Sequence, residues 1–198
     1  MVMRHSFLAA LIFCLLVPAA LAPSGATAQP PAKPCAVGNS ATVVKSLQAR
    51  IYERGGDDHV LVGCNRRSGR RTVLARWFNC ECSIADEPAP QVWLAGRHVA
   101  VNLYFCPPDQ SPCSGGMAVF DLRTGRVRYS AETGALIDLV MKPNGSIGYL
   151  LGQQLYRIDS RGTALLDEGS GIDGGSLAVN RTRLYWLRDN LPQTASLR

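Results

Sequence analysis

The sequence predicts an all-β chain built from about four repeats, and three observations point there. Short runs alternate apolar and polar residues with the period of a strand, as in "HVAVNLYF", where Val99, Val101, Leu103 and Phe105 share one face, and in "SIGYLL", where Ile147, Tyr149 and Leu151 do. A turn ending recurs in "CNRRSGRRTVL" from Cys64, "FDLRTGRVRYS" from Phe120 and "RIDSRGTALLD" from Arg157: a β-type run, a polar arginine-bearing turn with glycine, then another β-type run. Units of three or four such strands return at roughly 35 to 50 residues, the period expected of propeller blades, whose twisted sheets bury their faces by stacking on neighbours. A β-sandwich, which also uses short strands and regular turns, is the alternative, and the self-similar turns favour blades.

Taken in order, residues 1–28 stand apart from the fold. Arg4 is followed by the apolar run "FLAALIFCLLVPAALA" and then by small residues, the layout of a secretory signal peptide, with cleavage expected after Ala28. The run is shorter than the roughly 20 residues that span a bilayer, and Pro23 ends it. Cys14 leaves with it. Residues 29–36 form a proline-rich linker and residues 37–198 the β domain, with no membrane span expected in the mature chain. The expected location is secreted, periplasmic or extracellular.

"NSATVVKSLQARIY" could line a helical face with Val43, Val44, Leu47 and Ile51, but the β-branched Thr42-Val43-Val44 favours strand. In the three recurring endings Gly69, Gly125 and Gly162 occupy the position where a tight hairpin needs positive φ. A fourth, shorter copy, "SLAVNRTRLYWLRDN", sets Leu184 and Trp186 on one face and Tyr185 and Leu187 on the other.

Six cysteines remain after cleavage: Cys35, Cys64, Cys80, Cys82, Cys106 and Cys113. An even number in an exported chain argues for disulfides rather than zinc, since there is no Cys-x-x-Cys knuckle and only His59 and His98 are left as imidazole ligands. "CPPDQSPC" is a proline-rich loop between two strand-like runs, so a Cys106–Cys113 bridge is expected. Cys80 and Cys82 stand too far apart on one strand face for an easy bridge, and each is expected to find a distant partner in Cys35 or Cys64.

Chemistry is sparse. No Gly-x-Ser-x-Gly elbow occurs, His59 in "GGDDH" reads as turn chemistry, and His98 reads as a surface or half-buried residue opening a strand. Asp167, Glu168 and Asp173 lie in a glycine-rich loop but match no calcium-loop spacing. Asn144 and Asn180 are formal glycosylation acceptors. No catalytic residue, metal or cofactor is assigned.

Charge is more informative. Loss of Arg4 lowers the formal net charge from +6 to a still basic +5. Arg66, Arg67, Arg70, Arg71 and Arg76 crowd one segment, where the default reading is a solvated hairpin tip. Arg67, Arg70, Arg123, Arg126 and Arg161, however, hold matching positions in three successive repeats, so in a propeller they would emerge on one rim as a single field. Repetition of a good turn sequence accounts for the same pattern without a partner, and both readings stand. Nucleic acid is not expected, because no stacking aromatics interleave with the arginines.

"KPNGSIGYLLGQQLYRIDSRG" resembles the repeat of TolB-type, WD40-like β-propellers: Lys142-Pro143-Asn144-Gly145 stands for the turn, Leu155-Tyr156 for the aliphatic-aromatic pair, and Asp159 with Gly162 for the exit. The other copies match less well, since "LAGRHVAVNLYF" and "LAVNRTRLYW" lack the Pro-Asn-Gly turn. The resemblance implies blades that present clustered loops, and such propellers usually have more than four; an incomplete one could pair with a second copy. The expected function is an exported module binding a protein or glycan through surface loops. A structural envelope protein is the alternative, and a propeller hydrolase or quinoprotein-like enzyme a more distant one.

Overall fold

The computed structural model describes residues 35–56, 58–78, 90–105 and 114–198. Every regular element among them is a strand. The first sheet is β1 (Ser40–Lys45), β2 (Ala49–Arg54), β3 (Asp58–Asn65) and β4 (Arg71–Phe78). The second is β5 (Gln91–Ala95), β6 (His98–Phe105), β7 (Ser114–Asp121) and β8 (Arg126–Glu132). The third is β9 (Leu136–Met141), β10 (Ile147–Leu151), β11 (Gln154–Asp159) and β12 (Gly162–Glu168). The fourth has three strands, β13 (Ala178–Val179), β14 (Arg183–Arg188) and β15 (Leu191–Ser196). Each sheet is an antiparallel meander in chain order. Four separate blade-like sheets, rather than two facing ones, exclude the sandwich.

The alternation seen in the sequence decides how the sheets stack. Val99 and Val101 of β6 pack with Ile51 and Leu61 of the first sheet, while Ala100 between them faces the cluster shared with Ile147 and Tyr149 of the third. On β10, Leu150 turns the other way and meets Leu184 and Trp186 of β14. The two inner sheets therefore bury both faces, each against a neighbour. The first strands come closest, β1 beside β5, β5 beside β9 and β9 beside β13. Among the described residues no buried cluster joins the fourth sheet to the first.

The free face of the first sheet is covered by the chain's own Cys35–Val37 segment. A disulfide joins Cys35 to Cys64 of β3, with Cα atoms 5.9 Å apart, and both sulfurs lie in a small buried cluster with Tyr52 and Val62. Arg50 holds the segment down: its Nη1 donates to the Cys35 carbonyl at 2.8 Å and its guanidinium lies over the Tyr52 ring. This overturns the expectation that Cys35 and Cys64 would each bond a cysteine of the Cys80/Cys82 pair. They bond each other because Cys64 sits on the outward face of β3, where the incoming strap crosses it. Cys80, Cys82, Cys106 and Cys113 lie outside the described residues, as do the expected Cys106–Cys113 bridge, the signal segment and its cleavage site.

Residues 39–52, read as strand, form two strands. Ser46 breaks the run: its hydroxyl accepts from the backbone N–H groups of Gln48 and Ala49, turning the chain and leaving Leu47 exposed at the tip. His59 is a β3 residue rather than part of a turn, stacked on Trp77 of β4 and paired with Glu53. A further repeat is invisible in the sequence. β4, β8 and β12, the fourth strand of each of the first three sheets, each carry one bulge against the third strand, with Leu74, Arg128 and Leu166 as the extra residues.

Candidate functional site

In a meander the turns alternate between the two ends of the sheet, so the first-to-second and third-to-fourth strand turns of every sheet emerge at one end. Hydrogen bonds between these turns confirm the gathering. Ser46 Oγ donates to the Gly96 carbonyl at 2.8 Å, the Arg66 N–H to the Gln48 carbonyl at 2.9 Å, and the Leu122 N–H to the Arg97 carbonyl at 3.1 Å.

Three of the turns are built alike. Each third strand ends in an Asx side chain that accepts from the backbone two residues on: Asn65 from Arg67 at 3.0 Å, Asp121 from Arg123 at 2.8 Å, Asp159 from Arg161 at 2.9 Å. Gly69, Gly125 and Gly162 then take φ of 71°, 70° and 92°, as their positions required. The geometry puts Arg67, Arg123 and Arg161 in equivalent positions, with Arg70 and Arg126 following the glycines of the first two turns. Arg70 lies against the second turn, its Nε 3.0 Å from where a Cβ on Gly125 would stand.

Arg67, Arg70, Arg123 and Arg126 are exposed and make no side-chain hydrogen bond or ion pair among the described residues. Arg161 is committed: it pairs with Asp159 and donates to the Ser196 carbonyl at 2.9 Å. The carboxylates in these turns are Asp121 and Asp159, and both are engaged. Arg97 Nε stands 3.2 Å from Asp121 without hydrogen-bond alignment. Asp159 is fully buried, and burial alone would raise its pKa. Bonds from the Arg161 side chain and the Arg198 and Arg161 backbones, with the charge of Arg157, overcome this and hold the carboxyl well below the usual carboxylate range. Exposed Glu132, Glu168, Asp173 and Asp189 lie at the opposite end, together with exposed Arg54.

Sequence reasoning did not single out Arg97 and Arg181, whose turns lie outside the three recurring endings, or Arg128 of β8, whose Cδ lies against Gly145 of the β9–β10 turn. It also misplaced His98, which is buried rather than half-exposed. The His98 ring lies against Gly145, whose φ of 86° and missing Cβ leave room for it, and its Nδ1 donates to the Pro143 carbonyl at 2.7 Å. Its Nε2 makes no hydrogen bond among the described residues and faces Asp121 at 3.9 Å; burial pushes its pKa down, against the opposing effects of the Pro143 bond and Asp121. Asp167, weighed as a calcium ligand, instead accepts from Trp186 Nε1 at 2.7 Å and pairs with Arg188. The described residues contain no group of three or more His, Cys, Asp or Glu placed to hold a metal.

Compared with models of protein families and with curated proteins, the chain matches none.

Proposed function

We propose that the protein is an exported, non-enzymatic binding module of the TolB-like propeller type, which holds an anionic protein or glycan on its arginine-bearing end. The observation carrying this reading is the gathering of Arg67, Arg70, Arg123 and Arg126 on adjacent turns, with both local carboxylates neutralised from within. Scattered charges thus become a continuous positive field, which concentrates and steers an acidic partner. The sparse supply of histidines and the engagement of Asp167 favour binding over propeller-type catalysis.

The test is charge reversal. Arg67→Glu, Arg70→Glu and Arg123→Glu together should move elution from a heparin column to much lower salt while the melting temperature stays within a few degrees, because these side chains hold nothing in place. Elution at the wild-type salt concentration with an intact fold would remove this end from consideration.

A further inference from the structure

We infer that the partner of the arginine end is a linear polyanion, a polymer with a sulfate, phosphate or carboxylate on successive units, laid across the turns of consecutive sheets; this rests on the anion-binding reading above. The exposed cations stand on the turns of different sheets. They follow the chain from sheet to sheet: Arg67 and Arg70 on the first, Arg123 and Arg126 on the second, Arg181 on the fourth, with the committed Arg161 between. A single small anion would meet one or two of them, whereas a repeating polymer meets them in series.

The end also lacks what a folded protein partner would use. No Trp, Tyr or Phe occupies the turns, and Leu47 at the β1–β2 tip is their one strongly exposed large apolar side chain. Stable protein interfaces concentrate their energy in aromatic and arginine anchors seated in desolvated pockets. A cationic surface without apolar anchors binds through charge and counterion release, the mode suited to a polyelectrolyte. Arginine's planar fork, in place of lysine, suits bidentate contact with the oxygens of all three anion types.

The experiment titrates the disulfide-bonded protein with heparin oligosaccharides of increasing length, polyphosphate and polygalacturonate at several salt concentrations, and with ovalbumin as a folded acidic protein. Affinity should rise by about tenfold or more from heparin disaccharide to decasaccharide, as added units find further arginines. Arg70→Gln and Arg123→Gln should each lower the salt slope for the best polymer by about one, at unchanged melting temperature. The polymer bound most tightly identifies the anion. Disaccharide binding as tight as decasaccharide would overturn the polymer and leave a single-anion site. Arginine-dependent binding of ovalbumin with no binding of any polymer would overturn it in favour of a folded acidic protein, leaving the anion-binding reading intact. Failure of every probe would sink both.

Discussion

Asp159 ends β11 with a buried carboxylate that accepts from Arg157, from both the backbone and side chain of Arg161, and from the Arg198 N–H. One side chain thus shapes the third arginine turn and ties down the last residue of the chain. Because its folded pKa is depressed, its contribution is complete above the ordinary carboxylate range near pH 4 and is lost as pH falls through and below that range. Asp159→Asn should lose about 2–3 kcal/mol at pH 7, the scale of charge-assisted hydrogen bonds. It should also lose less stability than wild type on further acidification. Urea unfolding at a series of pH values checks this, and parallel acid limbs would show that Asp159 carries no such linkage. Glycines separate backbone strain from crowding in the same way. Gly162→Ala meets only the unfavourable φ, since nothing lies within 4 Å of its Cβ position, whereas at Gly145 the new carbon would stand 2.9 Å from the buried His98 ring. Gly162→Ala should cost about 1 kcal/mol and Gly145→Ala clearly more, the lower and upper parts of the range for strained sites; equal losses in urea unfolding would mean that the ring moves aside freely.

Elements were legible where local chemistry sufficed. The recurring arginine-bearing turn with glycine located three hairpins and the five arginines, and alternation located β6, β10 and β14. Strands without either signal were harder. β5, "QVWLA", is half-buried along most of its length and does not alternate, and β15, "LPQTAS", is largely polar and contains Pro192. Both are strands because a neighbour supplies the ladder, which is tertiary context rather than propensity. Burial of His98 was hidden for the same reason, since the Pro143 turn that covers it lies 45 residues along the chain. Disulfide connectivity was hidden too: nothing local reveals that the strap before β1 doubles back over β3. That bridge closes a loop of 29 residues and covers Tyr52. Replacing Cys35 and Cys64 together by serine should cost about 3.6 kcal/mol in a chain-entropy account. It should also open the segment ahead of β1 to limited proteolysis. A strap as resistant to protease as wild type would mean that Arg50 and Val37 hold it without the bridge.

The four sheets of residues 35–198 form a series in which each sheet is stabilised mainly by its neighbours, so strength should vary along the series rather than be shared evenly. Sheets two and three are covered on both faces. The first sheet is covered by the second and by its disulfide-held strap. Among the described residues the fourth sheet shares a buried cluster with the third sheet alone, has one strand fewer, and turns exposed Tyr185 and Thr194 outward. Its attachment runs through Leu184, whose methyl groups reach so close to Gly148 that a Cβ there would lie 2.6 Å from one of them. Leu184→Ala should therefore cost about 2–5 kcal/mol, the range for buried leucine truncations. The loss should be local: amide hydrogen exchange should speed up in β14 and β15 while β3 and β6 keep their wild-type protection. Equal loss of protection in the first and fourth sheets would show that the four sheets unfold as one cooperative unit, which a series coupled only through neighbouring faces does not predict.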